Sequence, residues 1–176
     1  KKIKYSKLQK DVINLSNKIP TRSLFLIICN NSYQSIKNYI ASIKNKYISI
    51  LIDEKVNEEY LNEYISRYLP DFISVSNTIE INTKLYKVLI EDNHNIIYAL
   101  KTKIDRYFNK DLAILIPTSG STGSPKFVKL SFNNLNTNTK TIIKYLDITP
   151  NDKTILSLPF SYSYGLSIIN THIEKN

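Results

Sequence analysis

Two short, nearly continuous apolar runs constrain this chain more than anything else in it. They are Ser23 to Ile28 and Tyr47 to Ile52. Each is too short to cross a membrane and too apolar to lie in water, the pattern of a strand buried on both faces. Around them, apolar residues recur at helical spacing. Tyr5, Leu8, Val12, Leu15 and Ile19 form one such stripe, and Tyr33, Ile36, Ile40 and Ile43 a second. Tyr60, Leu61, Tyr64, Ile65 and Tyr68 form a third, over Glu58 to Leu69, and a short run from Phe72 to Val75 reads as a third strand. Ser6-Lys7-Leu8-Gln9 has the form of a capping box, and Asn31 or Ser32 can cap the second helix. Pro20 and Pro70 follow the ends of the first and third helices. Strands alternating with helices predict an α/β fold: a mainly parallel sheet with helices on both faces.

The pattern then changes. Tyr86 to Ile90 and Ile96 to Leu100 flank the polar turn Glu91-Asp92-Asn93-His94-Asn95, which predicts a β-hairpin region. Leu112 to Ile116 and Phe127 to Leu130 read as two more strands. Ser131 can cap a fourth helix with Leu135, Ile142, Ile143 and Leu146 on its inner face, and Thr154 to Leu158 reads as a strand.

Between the strands at 112–116 and 127–130 lies Pro-Thr-Ser-Gly-Ser-Thr-Gly-Ser-Pro-Lys, from Pro117 to Lys126. The chain has 3 glycines in 176 residues, against about 12 at average usage. Two of them, Gly120 and Gly123, stand in this loop. Successive amides freed by glycine can form an anion-binding concavity. Thr118, Ser119, Ser121 and Thr122 add hydroxyls, and Lys126 adds a compact positive charge. A bare Ser/Thr/Gly linker would not need flanking apolar strands or the Pro-Lys ending. A Walker loop is excluded, because Pro125 precedes the lysine and a strand follows it. The third glycine, Gly165, stands in a second unusual stretch, Leu-Pro-Phe-Ser-Tyr-Ser-Tyr-Gly from Leu158.

Thr118 to Lys126 resembles the signature phosphate loop of the adenylate-forming enzymes, the acyl- and aryl-CoA synthetases, luciferases and adenylation domains. Phe127 stands where that family usually has glycine. Leu130-Ser131 with Asn134-Leu135 resembles the stretch after the family's loop, with Phe132 in place of a histidine. Leu158 to Gly165 is similar to the family's Leu-Pro-x-x-His-x-x-Gly, with Tyr162 at the histidine position. Lys4 to Leu8 looks like the opening helix of these enzymes, and Ile148 to Asp152 like the turn before the second motif.

The resemblance implies the incomplete N-terminal portion of an adenylate-forming fold. Residues 1–176 would form part of the AMP-binding domain, and the small C-terminal domain with its lysine would have no counterpart. The family's adenine-, magnesium- and ribose-binding stretches also find no match in these residues. The activity implied is ATP-dependent activation of a small-molecule carboxylic acid with Mg2+, possible transfer to coenzyme A or a carrier-protein thiol, and little or no activity from this segment alone. Thr118, Ser119, Gly120, Ser121, Thr122, Gly123 and Lys126 would bind the phosphates, with Lys126 as the catalytic charge. Tyr162 and Gly165 would line the carboxylate end of the acyl pocket, Gly165 by letting its backbone pass close to the ligand.

Two other classes are weighed against this one. A non-catalytic remnant would keep the fold without the chemistry. A nucleic-acid-binding domain would suit the net charge of +9 and the 13 tyrosines. The lysines are scattered, however, and Glu54, Glu58, Glu59 and Glu63 form an acidic patch among them, so no nucleic acid is expected. No apolar run reaches membrane-span length. The one cysteine, Cys29, reads as a buried small hydrophobe and fits a reducing, cytoplasmic compartment. His94 and His172 have no partners at ligand spacing, so no metal centre is expected from the side chains.

Overall fold

A computed structural model describes residues 2–82, 84–118 and 126–175. Among these residues one seven-stranded sheet carries the fold, in the order β4-β5-β3-β1-β2-β6-β7. The strands are β1 (Leu24–Cys29), β2 (Ile48–Asp53), β3 (Phe72–Val75), β4 (Tyr86–Glu91), β5 (Ile96–Leu100), β6 (Leu112–Pro117) and β7 (Phe127–Ser131). β1 runs parallel to both β2 and β3, and β2 runs parallel to β6. Antiparallel pairs close both edges: β5 on β3 with β4 on β5, and β7 on β6. The expected hairpin region is β4–β5, and the phosphate-loop candidate joins β6 to β7.

Period-two alternation splits the buried strands between two cores. Phe25, Ile27, Cys29 and Leu51 face one side, where they meet Val12, Leu15, Tyr39, Leu166 and Ile169. The helices there are α1 (Tyr5–Ser16), α2 (Tyr33–Lys44), α4 (Phe132–Tyr145) and α5 (Ser163–Glu174). Leu24, Leu26, Ile28, Ile48, Ile50 and Ile52 face the other side, against Leu61, Tyr64 and Ile65 of α3 (Glu58–Tyr68). The expected covering of both faces is therefore present, with four helices on one side and one on the other. A buried polar cluster ties α2 to the sheet. Asn38 Nδ2 donates to Ser74 Oγ at 2.7 Å and to Asn95 Oδ1 at 3.3 Å, and Ser74 Oγ donates to Asn95 Oδ1 at 2.9 Å.

Glycine scarcity shows at the helix ends. α2, α3 and α4 close on Lys46, Leu69 and Asp147, with φ of 55°, 42° and 51°. Helices usually place glycine at such left-handed positions. The side chains here cost about 1–2 kcal/mol at each.

Several expectations fail locally. The box at Ser6 does not cap α1. Its N-cap is Lys4, without a side-chain bond, because the Lys4 carbonyl already accepts from the Leu8 amide at 3.2 Å. Of the two caps expected for α2, Ser32 is the one used, its side chain accepting from the Ser35 amide. Thr154 to Leu158 forms no strand: among the described residues none pairs with it, and Ile155 is 83% exposed. Leu146 and Tyr60 are exposed rather than turned inward. α5 has no forerunner in the reading above, because Pro159 and the clustered Ser and Tyr before Gly165 hide its periodicity.

Candidate active site at the carboxyl ends of the parallel strands

Parallel strands end together, so β1, β2 and β6 deliver Cys29, Asp53 and Pro117 to one end of the sheet. This is where open α/β sheets place their ligands. Thr118 follows β6 directly. Its backbone N–H donates to the Lys126 carbonyl at 2.9 Å, and its Oγ1 donates to the same oxygen at 3.3 Å. Pro117 pairs with Phe127 in the ladder one step below. Thr118 and Lys126 thus face each other across the root of the loop, both exposed. Ser119, Gly120, Ser121, Thr122 and Gly123 lie outside the described residues.

Phe127 explains its own departure from glycine. Its ring packs between Tyr64 and Tyr68 of α3, with centroids 5.4 Å and 5.2 Å away. Such pairs contribute roughly 0.5–1.5 kcal/mol each beyond area burial. The aromatic wedge fixes the strand that carries Lys126 against the α3 side of the sheet.

The second motif reaches the same end from the other face. Asn31, just beyond β1, donates through Nδ2 to the carbonyls of Leu156 at 2.9 Å and Leu158 at 3.4 Å. Phe160 is fully buried against Tyr39, with ring centroids 5.7 Å apart. Tyr39 Oη donates to Asn170 Oδ1 of α5 at 2.7 Å. Gly165 lies in the first turn of α5. A Cβ there would stand 2.6 Å from the Pro159 oxygen and 2.8 Å from the Leu158 oxygen. Gly165 thus makes a close approach to the chain's own backbone.

Tyr162 is the N-cap of α5 and is half exposed. With Asp53, Pro117, Thr118 and Ser161 it lines a cavity of about 140 Å3. The structure therefore gathers Thr118 and Tyr162 around one space. Lys126 stands at the root of the same loop, while Gly165 stands back and shapes the turn that presents Tyr162. Sequence reasoning missed Asp53, Ser161 and Asn31. Asp53 did carry a signal, a lone carboxylate at the end of an apolar parallel strand. Among the described residues no group of three or more His, Cys, Asp and Glu is placed to hold a metal ion, and no helix is long and apolar enough to cross a membrane.

The sequence profile of the AMP-binding enzymes matches residues 26–174. The chain belongs to the AMP-binding enzyme family. Its fold is similar to apo MatB from Rhodopseudomonas palustris, with a TM-score of 0.75 at 17% identity. That match covers 98% of this chain and 38% of MatB. It is also similar to o-succinylbenzoate coenzyme A synthetase (MenE) from Bacillus subtilis in complex with ATP and magnesium ion, with a TM-score of 0.74 at 18% identity. That match covers 99% of this chain and 49% of MenE. The same enzyme in complex with the acyl-adenylate intermediate OSB-AMP aligns with a TM-score of 0.73 at 17% identity, over 98% of this chain and 48% of that one. The chain spans less than half the length of these proteins. The fold is that of the N-terminal portion of adenylate-forming enzymes, as the resemblance of the two motifs implied.

Proposed function

We propose that this chain supplies the phosphate-binding part of an ATP-dependent ligase that activates a small-molecule carboxylic acid. The observation that carries the reading is the pairing of Thr118 with Lys126 at the carboxyl end of β6, in a member of the AMP-binding family. The solved MenE complexes with ATP and magnesium, and with an acyl-adenylate, support it. In the reaction a carboxylate oxygen attacks the α-phosphorus, the bond to the β-phosphate breaks, and pyrophosphate leaves with the electron pair. A thiol of coenzyme A or a carrier protein would then attack the acyl carbon, lose its proton and release AMP as the second step.

The difficulty is charge. One anion must approach another, and a third must depart. The ammonium of Lys126 and the hydroxyl of Thr118 would meet the departing phosphate charge, and donors fixed beforehand need no reorganisation. Ser119, Ser121 and Thr122 would add hydroxyls, and Gly120 and Gly123 backbone amides. Mg2+ bound with the nucleotide would supply further charge neutralisation. Tyr162 would line the approach of the acid, and Gly165 serves by setting the turn that carries Tyr162.

The test is a calorimetric titration of residues 1–176 with tripolyphosphate, comparing the parent with Lys126→Ala. The expected result is binding weaker than micromolar, that is, weaker than about −8 kcal/mol, reduced at least several-fold by the substitution. Equal affinity in the two proteins would remove the loop from the phosphate site. The segment alone is expected to give no carboxylate-dependent exchange of pyrophosphate into ATP, since it spans under half of its structural relatives.

A further inference from the structure

Ser161 is 3% exposed, and its Oγ has no hydrogen-bond partner among the described residues. A buried hydroxyl left in this state is destabilising, because it has given up its hydrogen bonds to water without replacing them. The cost is avoidable here, because Ser161 lines the cavity it shares with Asp53, Pro117, Thr118 and Tyr162. A space of about 140 Å3 exceeds the roughly 10–15 Å3 needed on that measure to hold a water molecule. The lining also offers the two to four polar partners that a held water needs. The Asp53 carboxylate is one: Oδ1 accepts from the Lys55 amide at 2.8 Å, which fixes the carboxylate plane and leaves acceptor capacity. The Thr118 hydroxyl is a second, and Ser161 Oγ is the third.

We infer that Ser161 is a positioning residue: through water held in this cavity it joins the second motif to Asp53 at the end of β2 and to Thr118 at the root of the phosphate loop. The first motif joins two strands of the sheet and the second stands in the turn before α5, and among the described residues no direct hydrogen bond joins Thr118 to Ser161 or Tyr162. The cavity is where they meet. Its water would carry the Ser161 proton toward Asp53 as a hydrogen bond without transferring it. The consequence is a fixed Thr118, and with it a fixed Lys126 carbonyl. The link to phosphate binding rests on the function proposed above.

The test uses the 176-residue chain with Ser161→Ala, Asp53→Asn and the double variant. Three readouts are taken: urea unfolding, water-to-protein NOEs at the Ser161 and Thr118 amides, and tripolyphosphate affinity. If Ser161 is bridged, Ser161→Ala lowers the urea midpoint and the two substitutions are non-additive. The NOE to long-lived water is then lost from both amides, and tripolyphosphate binding weakens about three- to tenfold. If the hydroxyl is merely unsatisfied, Ser161→Ala raises the urea midpoint, because a desolvated group has been removed. That result, additivity in the double variant, or unchanged tripolyphosphate affinity in a parent that binds, overturns the inference. A parent that binds no tripolyphosphate overturns the phosphate-site reading instead. The bridge is then decided by the midpoint, the coupling and the NOEs.

Discussion

Gly165 and Pro159 are packed so closely that a methyl group on Gly165 would stand 2.6 Å from the Pro159 carbonyl oxygen. The obstacle is backbone, which cannot swing aside as a side chain does. Gly165→Ala must therefore shift α5 or the Leu158–Phe160 turn. Overpacking of this kind costs about 1–3 kcal/mol. Urea unfolding should show that loss, and the turn carrying Ser161 and Tyr162 should show chemical-shift changes. Parental stability would mean the turn yields freely.

Phe127 wedges between Tyr64 and Tyr68. Phe127→Ala removes both ring contacts and should destabilise the chain by about 1–3 kcal/mol, below the range for fully buried phenylalanines because this one is partly exposed. Affinity for tripolyphosphate should fall with it, because Phe127 pairs with Pro117 at the base of the loop. Phe127→Leu should recover most of the stability. Denaturant midpoints and calorimetry measure both effects.

Lys46 is exposed and holds φ at 55° just beyond α2. Lys46→Gly relieves a left-handed strain of about 1–2 kcal/mol but adds freedom to the unfolded chain. A net gain of about 0.5–1 kcal/mol is expected from thermal or urea unfolding. A loss would show that the lysine stem contributes packing that outweighs the strain.

Stability should fall steeply above pH 10. Burial raises the Tyr47 hydroxyl to about 12, and burial raises Tyr39 and Tyr86 further still. Their folded values lie above the unfolded value of about 10. The stabilisation is thus fully present below pH 10 and is lost as pH rises toward the folded values, because the unfolded chain releases these protons first. Each such tyrosine contributes a slope of about 1.4 kcal/mol per pH unit in that window. Urea midpoints from pH 9 to 12, with tyrosinate absorbance, test this. A flat profile would contradict the burial of these three rings.

The local pattern of this chain was enough to set most of its elements. Buried strands and one-sided helices differ in period, so β1, β2, β3 and helices α1 to α3 could be placed from spacing alone. The loop with two of the three glycines singled out the phosphate site proposed above, since such a cluster has few other uses. What spacing could not supply was the closing of the sheet, which depends on contacts between residues far apart in the chain. Thr154 to Leu158 has the composition of a strand, yet a strand exists only when a neighbour accepts its hydrogen bonds, and the described residues provide none. Phe127 looked like a loss at a glycine position until Tyr64 and Tyr68, some sixty residues earlier in the chain, were found around it. Gly165 was legible as a close approach, but only the tertiary structure could say to what. Asp53 and Thr118 meet because parallel strands end on one side of a sheet, the turn before α5 brings Ser161 to the same end, and a linear sequence does not carry that juxtaposition.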